Sequence, residues 1–140
     1  MPTLPELDAP EALICTMVLV AAADGGMSDR EIGVMAGQVQ TLPAFREFSA
    51  DQLGVATDMA VALLNEEDGL LHAARLIRAA LSPRLRETAY ALACEVVAAD
   101  DVAGQESLEM LAFVGTELHL DRLVASAIER GVRARHQPVD

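Results

Sequence analysis

Two stretches of this 140-residue chain set carboxylates beside a run of small residues. In the first, Ala21-Ala22-Ala23-Asp24-Gly25-Gly26 is followed by Glu31, seven residues after Asp24. In the second, Val97-Ala98-Ala99-Asp100-Asp101 is followed by Glu106, six residues after Asp100. In each, an apolar run meets an aspartate, the chain turns, and a new helix opens near a glutamate. If the two turns converge, Asp24, Glu31, Asp100, Asp101 and Glu106 offer oxygen donors without clustered His or Cys, a set suited to Ca²⁺ or Mg²⁺. The same residues also have a local use. Aspartate suits a helix end, Glu31 is the third residue of a capping box, and Glu106 complements the positive end of a helix. Capping accounts for Glu31 by itself, but not for an aspartate recurring at the same place. An EF-hand is a poor match, because its alternating Asp/Asn ligands and terminal bidentate Glu are missing.

Other reactive side chains form no constellation. Cys15 and Cys94 each sit in an apolar run and read as small buried hydrophobes of a reducing compartment. A redox pair would need both exposed and adjacent. His72, His119 and His136 are scattered, with no zinc spacing. Asn65-Glu66-Glu67-Asp68-Gly69 reads as a solvated connector, and Met17, Met35, Met59 and Met110 as core filler. There is no Gly-x-Ser-x-Gly elbow, phosphate loop or dinucleotide fingerprint, and no enzyme is expected.

The elements that must carry these turns are helical. Apolar residues make up 52% of the chain but aromatics only 3%, so the core is aliphatic, and strand-favouring residues are sparse. Helix 1 is expected from about Pro10 to Ala23, with Asp8 as N-cap and Gly25-Gly26 ending it. Capping boxes at Ser28–Glu31 and Ser49–Gln52 open helices 2 and 3. Helix 4 follows Gly69, Ser82-Pro83 opens helix 5, helix 6 starts near Gly104, and Asp121 caps helix 7. The inward stripes are Ile32, Met35 and Val39; Leu53, Ala56, Ala60 and Leu64; Leu70, Leu71, Ala74, Ile77 and Leu81; Leu108, Leu111, Val114 and Leu118; and Leu123, Val124, Ala127 and Ile128. The expectation is one compact all-α domain of about seven helices. Residues 1–10 are a flexible lead, 11–130 the domain and 131–140 a frayed tail. Helices 1–2 and 5–6 form two helix-turn-helix units around a pseudo-twofold, with helices 1 and 5 central.

Charge narrows the partners. The net charge is −12 and every basic residue is Arg. Residues 1–70 carry twelve acids against two arginines; residues 71–140 carry ten against eight. Such a surface repels nucleic acid, anionic lipid and oxyanions, and favours cations or a basic protein face. The apolar run Ala12–Ala23 is too short to span a bilayer, and the acidic residues 1–11 do not fit a signal peptide. A cytoplasmic location is expected.

The second repeat carries the best match to a known family. Arg86-Glu87 leads into Ala91-Leu92-Ala93 and Val96-Val97-Ala98-Ala99-Asp100, and the next helix ends in Leu118-His119-Leu120-Asp121. The first repeat matches through Ala22-Ala23-Asp24-Gly25 and Glu31. This pattern resembles the tellurite-resistance TerB-like family over about residues 11–130. That family is a helical domain of bacterial stress operons, also fused to J-domain membrane co-chaperones. The resemblance implies a stress-response module, a divalent-cation site at the paired acidic positions, and action through protein partners, membrane-associated stress proteins among them. It implies no catalysis; no direct membrane insertion is expected from the short apolar run, and an oligomer is possible. The second copy departs from the pattern: Asp101 replaces a Gly, and Ser107 stands seven residues after Asp100 where a Glu is usual. Glu106, one residue earlier, is rotated by about 100° around the helix. The competing reading is an acidic interaction module whose Asp turns only cap helices.

Overall fold

The computed structural model describes residues 6–23, 25–99 and 104–139. Among these there are seven α-helices, one short 3₁₀ turn at Pro43–Phe45 and no strand. The helices are α1 (Ala9–Ala21), α2 (Asp29–Thr41), α3 (Ala50–Leu64), α4 (Gly69–Ala80), α5 (Pro83–Ala98), α6 (Gln105–Glu117) and α7 (Arg122–Arg135).

Their boundaries follow from local chemistry. Ser28 and Ser49 close the expected capping boxes with Glu31 and Gln52. Asp8 forms a third with Glu11, each side chain accepting from the other's backbone N–H. Ser82 accepts from the Leu85 amide ahead of Pro83, and Asp121 from those of Leu123 and Val124. Each such cap satisfies amides that a helix N-terminus otherwise leaves without partners.

Packing follows from how continuous each apolar run is. All ten residues from Ala12 to Ala21 in α1 are buried, as are Leu92 to Val97 in α5. A helix that is apolar all round must be surrounded. Accordingly α1 packs most extensively on α5, and also on α3, α4 and α6. The Thr16 hydroxyl, buried in α1, donates to the Ala12 carbonyl at 2.7 Å and so costs little.

The repeat is longer than its motif. The helix after each pair, α3 or α7, packs back on the first helix of its own unit, α1 or α5. Of the middle helices, α2 packs more on α5 than on its own α1, while α6 packs on both α5 and α1. The structural unit therefore has three helices, with α4 joining the copies. Five apolar residues expected to face inward do not: Ile32, Leu71, Leu108, Leu123 and Ala127 are exposed. Their helices carry apolar residues on more than one face, and the tertiary neighbours decide which face is covered.

Two arginines close helix ends. Arg86, from the family-like stretch, donates to the carbonyls of Leu81 and Arg78 at the end of α4. Arg78 in turn donates to the Glu117 carbonyl at the end of α6. Cationic donors there satisfy orphan carbonyls and suit the helix dipole.

Candidate functional site

Of the predicted site residues, Asp24, Asp100 and Asp101 lie outside the described residues; Glu31 and Glu106 lie within them. The first turn leaves α1 through Ala22 and Ala23, and Gly25 takes a φ of 105°, a backbone that L side chains resist. Ser28 then starts α2, and Glu31 is its third residue. The Glu31 carboxylate is only 2% exposed. Its Oε1 accepts from the Ser28 amide at 2.8 Å, and the Glu31 amide donates to Ser28 Oγ at 3.1 Å.

The second copy is built differently. Gly104 stands at the N-cap of α6 and provides no side-chain cap. Glu106 is the second residue of α6 and is exposed. Ser107 is the third residue and is 5% exposed. By position and burial, Ser107 is the counterpart of Glu31, as its spacing from Asp100 requires. The copies thus place one carboxylate inside and one outside. Among the described residues no three His, Cys, Asp or Glu side chains are grouped closely enough to hold a metal ion.

A second acidic feature, not singled out by the sequence reading, sits on α5 itself. Glu95 is 6% exposed, and both its oxygens are taken by the end of α7. Arg135 Nη1 donates to Oε1 at 2.9 Å, and His136 Nε2 lies 2.7 Å from Oε2. The segment expected to fray from residue 131 is helical as far as Arg135, and the ring of His136, 37% exposed, reaches Glu95. The signal was present but weak: an acid inside the apolar run of α5, and two basic residues about 40 positions later. Replacing both Arg135 and His136 with Ala leaves a buried carboxylate without partners. Because both partners reach solvent, we expect a loss of about 1–3 kcal/mol rather than the larger figure for a sealed pair. Urea unfolding measures it. Adding Glu95→Gln should restore most of that loss, and a double variant as stable as wild type would remove the latch.

The thiols are unsuited to redox work. Burial pushes Cys15 up to about 12. Burial also pushes Cys94 up to about 12, helped by the nearby carboxylates of Glu129 and Glu95. Tyr90 is raised above the usual phenol range by burial first and then by its hydrogen bond to Glu129, whose Oε2 it meets at 2.5 Å. A protonated, buried thiol is a poor nucleophile. The other histidines are local. His72 Nδ1 faces Glu66 Oε2 at 3.3 Å, and His119 turns the chain after α6 with a φ of 56°.

An open groove of about 1090 Å³ lies beside the C-terminal end of α5. Val97 and Ala98 floor it, α2 and α6 form one side, and α7 with residues 136–138 forms the other.

Among the described residues these features define an all-helical module made of two three-helix units joined by α4. Among known families, the model described as Tellurite resistance protein TerB matches residues 10–129. The chain belongs to the TerB family. Neither the curated proteins nor the solved structures gave a match. Among the described residues no helix is long and apolar enough to cross a membrane.

Proposed function

We propose that this TerB-family chain is a non-enzymatic stress-response module that binds a divalent cation at its acidic turns and acts through a protein partner. The observation that carries the reading is the burial of Glu31. This carboxylate, taken almost wholly out of water seven residues after an aspartate, accepts one amide among the described residues, the Ser28 N–H. Burying an ionised carboxylate is costly unless it is well compensated, and a cation provides that compensation. Asp24, Asp100 and Asp101 would complete the donor set, with the exposed Glu106 at its edge. Ca²⁺ and Mg²⁺ suit oxygen donors, and the balance of −10 over residues 1–70 favours their approach. The same charge disfavours tellurite itself, an oxyanion. Bound metal would tie the start of α2 to the end of α5 and so alter the surface offered to a partner.

The second reading, an acidic interaction module without metal, is favoured by the completeness of the Ser28–Glu31 capping box. Thermal or urea unfolding of chelator-stripped protein separates the two. With Ca²⁺, Mg²⁺, Mn²⁺ or Zn²⁺ at 100 times its dissociation constant, a site adds about 2.7 kcal/mol. The gain should vanish in a chain carrying Asp24→Ala and Asp100→Ala. If no cation shifts the transition, the aspartates are helix punctuation and the second reading stands.

A further inference from the structure

Helix α7 is held on the molecule differently from the other six. Among the described residues each of α1 to α6 packs on at least three other helices, whereas α7 packs closely on α5 alone. Of its fourteen residues only Val132 is buried, against ten of thirteen in α1 and eight of sixteen in α5. Ala125 and Ile128 are half-buried against the core, and Leu123 stands in solvent. Such a helix can leave while the contacts among the other six stay in place.

Polar contacts make up for the missing burial. The Tyr90 hydroxyl donates to Glu129 Oε2, and Arg135 and His136 hold the two oxygens of Glu95. Tyr90 and Glu95 lie five residues apart on α5, and Glu129 lies six residues before Arg135, so the second half of α7 is clamped at two levels. A hydrogen bond exchanged for water contributes little net stability, and opening returns Glu95 and Glu129 to water rather than leaving them buried without partners. Elements with few buried apolar contacts occupy the low end of a protein's local stability. The chain before α7 permits the movement. Leu118 is anchored in the core, His119 turns with a left-handed φ of 56°, and α7 begins at Arg122.

We infer that α7 is a strap that lifts off α5 as a unit while the other helices stay folded, and that it controls access to the α5 face carrying Tyr90, Cys94 and Val97. Cys94 and Val97 already line the groove, and α7 with residues 136–138 is one of its walls. With α7 in place Tyr90 and Cys94 are buried. With α7 lifted that wall is gone and the groove becomes an open α5–α6 face. A partner that reads this face must displace α7 first, which makes the strap an autoinhibitory contact. None of the clamping residues lies in the acidic turns, so the inference does not rest on the cation reading.

Thiol labelling of the full chain reads the opening, with Cys94 beneath α7 and Cys15 in α1 as the internal control. Both thiols are buried, so each reacts only when its cover opens. Wild-type protein is treated with iodoacetamide in chelator over a range of urea below the unfolding transition, and mass spectrometry follows each site. Cys94 should react roughly a hundredfold faster than Cys15, at a rate nearly independent of urea, because lifting one helix exposes little surface. Cys15 should react only through global unfolding, at a rate that climbs steeply with urea. Arg135→Ala combined with His136→Ala should speed Cys94 roughly tenfold. Both side chains reach solvent, and far-UV circular dichroism checks that the double variant folds. Amide hydrogen exchange of the wild type is the second readout: the amides of α7 should exchange together, well ahead of those of α1 and α5. Equal rates and urea slopes at the two cysteines overturn the inference, since Cys94 is then uncovered only by global unfolding. Fast labelling of Cys94 that the double variant leaves unchanged assigns access to another wall of the groove and overturns it too. Fast exchange in α7 with Cys94 still protected means that the helix unravels in place, which is equally fatal.

Discussion

Gly69→Ala should lower stability by about 2–4 kcal/mol, one of the two largest losses expected from a single substitution in this chain. A Cβ at this position would sit 2.2 Å from the Leu63 carbonyl oxygen and 2.9 Å from that of Leu64. Both are backbone atoms at the end of α3, so no side chain can swing aside. The closeness arises from the short reversal into α4: Asn65 caps α3, Asp68 adopts a left-handed φ of 55°, and the Gly69 amide donates to the Glu66 carbonyl at 3.0 Å. Relief requires α4 to move off α3, and α4 carries Ala73, Ala74 and Ile77 into the core. Calorimetry should show a fall in Tm of roughly 10 °C for a chain of this size. Gly37→Ala provides the opposite sign. It lies inside α2 with nothing within 4 Å of the added carbon, so it should stabilise by about 0.5–1 kcal/mol. Equal effects at both positions would mean that the α3–α4 reversal is looser than its geometry.

The contrast between these glycines also shows what the sequence made legible. Local signals were readable because their partners are three or four residues away: Ser28 with Glu31, Ser49 with Gln52, Ser82 ahead of Pro83, Asp121 ahead of α7. The central placement of α1 and α5 was readable from unbroken apolar runs. The family and its two copies were readable from the Ala-Ala-Asp turns, and the family model covers residues 10–129 against the expected 11–130. Inward faces were less legible. Ile32 and Leu108 continue the apolar spacing of their helices, but Glu31 and Ser107 take the buried positions beside them. An apolar period cannot show this, because the residues that win the inward position are polar. Glu95 was hidden for a related reason: a buried acid makes sense only once Arg135 and His136 arrive from α7. The groove was invisible because its walls come from four helices whose crossing angles no single segment fixes. For the acidic turns, sequence spacing had already set Ser107 rather than Glu106 opposite Glu31, and the structure places those two residues accordingly.

Leu13→Ala should cost about 3–5 kcal/mol, the upper end of the range for burying a cavity in a close-packed core. Leu13 has no solvent exposure and lies in the second turn of α1, which packs on α3, α4, α5 and α6. Relaxation is therefore limited, since any one helix that moved in to fill the space would have to leave the others. The core offers little large aromatic mass to redistribute, because the chain has three Phe and no Trp. Stability of globular domains is only about 5–15 kcal/mol, so this one truncation removes a large share of it. Ile32→Ala and Leu123→Ala are the informative comparisons. They remove similar side chains but from positions 47% and 82% exposed, and each should cost under about 1 kcal/mol. Denaturant unfolding of the three variants decides whether α1 is the structural centre. A Leu13→Ala loss no greater than that of Ile32→Ala would mean that the chain is not organised around α1. The proposed cation reading gives a second readout, because α1 and α5 pack on each other and each precedes one of the two aspartate motifs in sequence. A cavity in α1 should therefore weaken any cation-dependent gain in stability, even though Leu13 lies more than two helical turns from Asp24 in sequence.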